Sequence, residues 1–264
     1  IVTTVHGDDF TSAGPKDSLD WLRDTLKAKY ELTEQARLGP GTEDGKVARV
    51  LNRIIRWTAE GLEYEGDPRQ GEKVVLDLTL EGSKSVATPG IKITNEVVTK
   101  DAPLPESKHT AFRAVAARAN YLAADRPDMQ FSCKEICRWM ASPTEQGVVA
   151  LKRVGRFLEG HRRVVFKYPF QEAEKIDTYS DTDWAGCVRT RKSTSGGLLM
   201  LGRHLIKSWS STQGPISLSS GEAEFYGVVK AAGVSLGYQA LLEDLGVKLP
   251  VRLWTDSTAT IGIC

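Results

Sequence analysis

The stretch Ile176-Asp177-Thr178-Tyr179-Ser180-Asp181-Thr182-Asp183-Trp184 reads as a β-strand that carries two acids toward its end. The residues after it keep the grammar of strands. Gly196–Leu201 and His204–Ser210 form a hairpin across Gly202-Arg203, and Ile216–Leu218 is expected to add pairing. A long helix is expected from Gly221 to Leu245, with Ser219 or Ser220 as N-cap and Gly246 past its end. Val251–Thr255 is an apolar strand that closes on Asp256, and Thr258–Ile263 begins another helix. Three strands, a long helix, a strand and a helix make an α+β layer.

Three acids in this part stand at the ends of elements. Asp181 lies on the first strand, Glu224 in the first turns of the long helix, and Asp256 at the end of the following strand. Those elements can converge at one sheet edge, where gathered carboxylates repel one another unless cations lie between them. Mg²⁺ suits such a site because it is hard, octahedral and oxygen-loving. Two such ions ~4 Å apart serve phosphodiester cleavage. Each acid alone also has a structural reading: an exposed strand end, a charge favoured by the helix dipole, a cap for the next helix. Asp183 and Glu222 are the competing choices for the first two positions. Asp8-Asp9, in a turn after the apolar strand Val2–Val5, pose the same question; Gly-Asp-Asp is also ordinary turn composition.

Upstream, Lys16–Ala28 has helical spacing of Leu19, Leu22 and Leu26. Lys46–Trp57 and Leu62–Glu65, split by Ala59-Glu60-Gly61, are expected as a hairpin. Residues 68–81 are expected as a helix, and 83–105 as a connecting segment. Helices are expected over Thr110–Ala124, Asp128–Met140 and from Thr144 onward, divided by Pro127 and Pro143. His161–Tyr168 turns into a strand.

The 264 residues, 41% hydrophobic and 26% charged, have globular composition, which excludes wholesale disorder and a fibrous chain. No apolar run approaches the ~18 residues of a membrane-spanning helix. Four scattered cysteines supply neither a disulfide scaffold nor, with no His or further Cys pair beside Cys133 and Cys137, a zinc site. The scattered cysteines read as a reducing compartment, and because Ile1 and Cys264 both lie inside apolar stretches the chain reads as a segment of a longer polyprotein. Its net charge of +1 hides an uneven distribution: −5 over residues 1–106, +7 over 107–167 and 0 over 174–264. Lys152, Arg153, Arg156, Arg162 and Arg163 in the basic block are candidates for phosphate contacts. A solvated helix face is the competing reading.

Tyr179-Ser180-Asp181-Thr182-Asp183-Trp184-Ala185-Gly186, Arg191-Lys192-Ser193-Thr194-Ser195-Gly196, Ser208-Trp209-Ser210-Ser211, Ser219-Ser220-Gly221-Glu222-Ala223-Glu224-Phe225 and Thr255-Asp256-Ser257 occur in that order. Together they resemble the ribonuclease H domain of copia-type LTR retrotransposon polyproteins. The upstream chain resembles the end of the same polyprotein's reverse transcriptase. His6-Gly7-Asp8-Asp9-Phe10 stands where that family has its Tyr-x-Asp-Asp box, and Tyr121-Leu122-Ala123 with Arg126-Pro127-Asp128 resembles its connecting region.

The resemblance implies a partial reverse-transcriptase palm and thumb over 1–106, a basic helical connection over 107–173, and a ribonuclease H-like domain over 174–264. That last domain would have a mixed five-stranded sheet, incomplete at its C-terminus. It implies Asp181, Glu224 and Asp256 as ribonuclease H metal ligands, and Asp8 and Asp9 as polymerase metal ligands. Each site would hold two Mg²⁺, with Mn²⁺ as the substitute. The partners implied are RNA–DNA hybrid, template-primer and deoxynucleotides, with integrase and protease domains elsewhere in the polyprotein and no membrane. The family's first polymerase aspartate would precede this chain and its fourth ribonuclease H acid would follow Cys264. His6-Gly7 departs from the usual Tyr-Val, and Asn52 stands where glycine is usual. The alternative is a non-catalytic nucleic-acid-binding remnant of a retroelement.

Overall fold

The computed structural model describes residues 1–264. In order, the elements are β1 (Val2–His6), β2 (Asp9–Ala13), α1 (Lys16–Lys27), β3 (Val47–Val50), β4 (Arg53–Trp57), β5 (Gly61–Glu65), α2 (Pro68–Asp77) and α3 (Asn95–Thr99). Next come α4 (His109–Ala123), α5 (Gln130–Cys137), α6 (Glu145–Gly160), β6 (Val165–Pro169) and β7 (Ile176–Asp183). The last are β8 (Thr194–Leu201), β9 (His204–Thr212), α7 (Ser220–Asp244), β10 (Val251–Trp254) and α8 (Thr258–Ile263). The chain is α+β, as its sequence predicts.

β7 organises the C-terminal half. Its residues Ile176, Thr178 and Ser180 are buried, while Tyr179 and Asp181 face outward, the two-residue alternation of a strand covered on one side. β8 pairs with it antiparallel from Ile176↔Leu201 to Asp183↔Thr194, and β9 follows through a turn in which Gly202 has φ +56. β10 returns parallel to β7, Val251 opposite Ile176 and Trp254 opposite Tyr179. The sheet is therefore mixed, in the order β10-β7-β8-β9. It holds four strands where the resemblance implies five. Ile216–Leu218 adds no pairing: it follows Pro215, Ser217 donates to Gln213 Oε1, and the Leu218 N–H donates to Glu222 Oε2.

α7 covers one face of this sheet. Ser219 caps its start by accepting from the Glu222 N–H. Gly246, at φ +82, closes its end, where the Val247 N–H donates to Leu242 O and the Gly246 N–H to Glu243 O. The buried residues Ala223, Gly227, Ala231 and Ser235 recur every four positions, so the face of α7 on the sheet is built from small side chains.

Residues 47–170 form a second unit. The antiparallel sheet β3-β4-β5-β6 includes two strands where Lys46–Trp57 is expected as one, because Leu51 and Asn52 take positive φ (47 and 67) and reverse the chain. Beside it, α2, α4, α5 and α6 enclose a core of Val74, Phe112, Ala119, Met129, Ile136, Trp139, Leu151, Val154 and Leu158, among others. The expected helix over 68–81 stops at Asp77, before Thr79 at φ +52. That over 128–140 begins as a 3-10 turn at Pro127–Met129 and ends at Cys137. Within this unit α2 packs on α4 and α6, and β6 pairs with β5.

Polar contacts join the two units. Lys134 Nζ donates to Thr194 Oγ1 at 2.8 Å and Tyr168 Oη to Leu205 O at 3.0 Å, and Gln171 in the connecting segment donates to Leu201 O at 2.7 Å. The β1–β2 hairpin, by contrast, pairs only with itself, and α1 has no buried residue. No helix is long and apolar enough to cross a membrane.

Candidate metal centre

Asp181, Glu224 and Asp256 are brought together. Each offers a carboxylate oxygen, and these oxygens lie within 4.8 Å of one another. The reason is topological. Asp181 sits near the end of β7, Asp256 two residues past the end of β10, and those strands run parallel side by side. α7 crosses the same end of the sheet by its first turns, which carry Glu224. The Thr182 N–H donates to Asp181 Oδ1 at 2.9 Å and to Glu224 Oε1 at 3.2 Å, tying the helix acid to the strand acid through one backbone group.

No lysine or arginine pairs with any of the three. Burial, then the charge of Asp181, raise the Glu224 carboxyl above the usual carboxylate range; the Thr182 N–H opposes this and Asp256 adds to it. Glu224 Oε2 is buried and has no hydrogen-bond partner. A buried carboxylate oxygen in a group of three acids thus lacks a hydrogen-bond or positive partner. Converging hard oxygens of this kind fit a divalent cation such as Mg²⁺, which would be held by these three side chains.

The competing acids are otherwise engaged. Glu222 Oε2 accepts from the Leu218 N–H at 2.7 Å and so closes the N-terminal cap of α7. Asp183 folds over Gly186, where a Cβ would lie 1.7 Å from its Oδ2. Asp8 and Asp9 are exposed at the tip of the β1–β2 hairpin and join no group of three possible ligands. The four cysteines are free and form no such group either.

The five basic candidates divide. Arg153 donates to Thr88 O and Oγ1, Arg162 to both Glu159 oxygens, and Arg163 to both oxygens of Glu65, whose side chain is 3% exposed. Lys152 and Arg156 are exposed on α6 without an ion pair. Trp139 is core, and Tyr121 is exposed.

Sequence reasoning missed the surroundings of the acids. An open groove of about 690 Å³ runs along the outer face of the sheet beside Asp181 and Asp256 and is bordered by Phe131 of α5. Tyr179 and Trp254 stack in it with centroids 5.9 Å apart and planes 6° from parallel. The sequence carries a signal for this: each aromatic stands two residues before an acid, the spacing that places them on one strand face.

The chain is α+β, and three of its acids converge where two parallel strands end. The comparisons with known proteins add the family. Over 204 residues, 73% of the chain, it is 30% identical to the retrovirus-related Pol polyprotein from transposon RE1 of Arabidopsis thaliana, spanning 13% of that protein's length. It is 31% identical over 186 residues to an uncharacterized mitochondrial protein of the same plant, covering 69% of this chain and 74% of that one. Along its whole length it is 22% identical to the Pol polyprotein from transposon TNT 1-94 of Nicotiana tabacum, spanning 20% of it. The chain belongs to the family of copia-type retrotransposon Pol polyproteins. No family model matches it, and no solved structure does.

Proposed function

We propose that residues 174–264 carry a ribonuclease H-type site that hydrolyses the RNA strand of RNA–DNA hybrids. The observation that supports this most is the meeting of Asp181, Glu224 and Asp256 from three separate elements, with one buried carboxylate oxygen left unpaired. Two bound Mg²⁺ ions would supply water activation and stabilisation of the leaving oxygen. The chain's own residues then have distinct tasks. Asp181 and Asp256, exposed at strand ends, orient what is held between them. Glu224, anchored by the Thr182 N–H, fixes the third side. The hybrid is distinguished by its groove shape and by 2′-hydroxyls rather than by base edges.

In the same reading, residues 1–106 are the C-terminal part of a reverse-transcriptase palm and thumb and residues 107–173 a basic helical connection, with Asp8 and Asp9 as polymerase metal ligands completed by an aspartate encoded upstream. Primer extension by the 264-residue chain alone is expected to give no product. Of the five basic candidates, Lys152 and Arg156 are the two free to track phosphates between the two sites.

The test is cleavage of a labelled RNA–DNA hybrid against Mg²⁺ concentration, using a chain extended along its coding sequence beyond Cys264. Mg²⁺-dependent cuts in the RNA strand support the proposal. Hybrid binding without cleavage at any Mg²⁺ or Mn²⁺ concentration favours the non-catalytic remnant.

A further inference from the structure

We infer that Gly227 is a positioning residue for this centre: its missing side chain lets α7 rest on Thr182 and Ser180, and that close approach sets Glu224 beside Asp181. The inference rests on the reading of the three acids as metal ligands. It concerns how one of them is held in place.

The small-residue face of α7 lies on alternate residues of β7. Ser235 hydrogen-bonds Thr178 Oγ1 at 2.8 Å at one end of the packed face, and Glu224 reaches the Thr182 N–H at the other. Between them stands Gly227. A Cβ there would lie 2.5 Å from Thr182 Oγ1 and 2.9 Å from Ser180 Oγ, closer than real Cβ atoms come to a neighbour. The nearer of the two, Thr182 Oγ1, cannot yield easily. Both are buried, and the β-branched Thr182 is stiff at χ1. Gly227 follows Glu224 by three residues, so both lie on one face of the helix. A side chain at 227 therefore lifts that turn, and Glu224 with it, from the strand that carries Asp181.

Other glycines of α7 provide the contrast. Gly233 and Gly237 would place a Cβ in open space. Glycine inside a helix is unfavourable relative to alanine, and of these three positions packing excludes the alanine at 227 alone. The steric constraint is also reciprocal: alanine at 227 requires a smaller residue than threonine at 182.

The experiment measures Mn²⁺ affinity of the 264-residue chain by electron paramagnetic resonance, and its metal-free thermal midpoint, in the wild type and three variants. Gly227→Ala is expected to weaken Mn²⁺ binding roughly 10- to 100-fold, the usual effect of disturbing support around a ligand. Gly233→Ala is expected to leave affinity unchanged. Gly227→Ala combined with Thr182→Ala is expected to regain most of the affinity, which a general fall in stability would not do. Wild-type affinity in Gly227→Ala, or no recovery in the double variant, overturns the inference. If Gly227→Ala does not fold, a folded double variant with restored affinity supports it and an unfolded one overturns it. If the wild type binds no Mn²⁺, the ligand reading fails, and the metal-free midpoints decide the packing: recovery in the double variant upholds it, and additive losses refute it.

Discussion

Thr182 and Glu224 meet through a single hydrogen bond, the Thr182 N–H donating to Glu224 Oε1 at 3.2 Å, while the other oxygen of Glu224 is buried and unpaired. The carboxylate is thus held by one edge, with its charge facing Asp181. Burial and that neighbour raise its pKa, so the ionised form opposes folding. The contribution of Glu224 to stability is greatest below the ordinary glutamate pKa and is lost as pH rises through its higher folded value. Without metal, Glu224→Gln is expected to raise the thermal midpoint at pH 7 slightly and to flatten its dependence on pH in the acid range. Differential scanning calorimetry across pH 4–8 checks this; a lower midpoint in the variant contradicts it.

Asp181→Asn and Asp256→Asn are expected to reduce hybrid cleavage to background while changing the melting temperature little, since both side chains are exposed and neither is ion-paired. Surface substitutions of this kind usually alter stability by about 0.5 kcal/mol or less. A collapse of the melting temperature would show that the acids hold the fold; full activity would remove them from the mechanism.

Arg163 is expected to act on stability rather than on nucleic acid. It donates to both oxygens of Glu65, a nearly buried carboxylate that Arg56 also contacts. Arg163, then burial in the opposite sense, then Arg56 leave the Glu65 pKa below its usual value. This stabilisation is present above the ordinary glutamate pKa and is lost as pH falls through the depressed folded value. Arg163→Ala should lower the urea midpoint, because Glu65 then keeps Arg56 as its single partner in a desolvated place. A urea midpoint equal to wild type contradicts this.

Lys152→Ala with Arg156→Ala is expected to leave stability unchanged and to lower the salt slope of hybrid binding by about 2, near one for each phosphate no longer neutralised. Arg153→Ala and Arg162→Ala are expected to alter that slope less, because Thr88 and Glu159 already hold those side chains. Equal slopes in all variants would place the hybrid elsewhere.

Leu158, fully buried in the helical core, tests the second unit. Leu158→Ala is expected to cost about 2–5 kcal/mol. If the sheet of β7–β10 is stabilised through its packing on α5, with bonds such as Lys134 to Thr194, the two units should unfold together in one calorimetric transition. Two separated transitions contradict that.

Much of the C-terminal half was legible because its signals are local. Ser219 and Gly246 mark the ends of α7, Gly202 marks the β8–β9 turn, and the placement of three acids at element ends pointed to their meeting. The second unit was less legible for physical reasons. The turn between β3 and β4 is made by Leu51 and Asn52 without glycine or proline, so the turn signal dividing Lys46–Trp57 rests on a single asparagine. The engagement of Arg163 depends on Glu65, 98 residues away, a pairing that charge counting along the chain does not reveal. Tyr179 and Trp254 stack only because β10 lies parallel to β7 in a particular register.

The most direct measurement is calorimetric titration of Mn²⁺ or Mg²⁺ into the 264-residue chain and into its Asp181→Asn, Glu224→Gln and Asp256→Asn variants. A centre built from these three acids predicts saturable binding by the wild type that each substitution weakens at least tenfold, a loss of about 1.4 kcal/mol. Binding of equal strength in all four proteins, or none in the wild type, would contradict it.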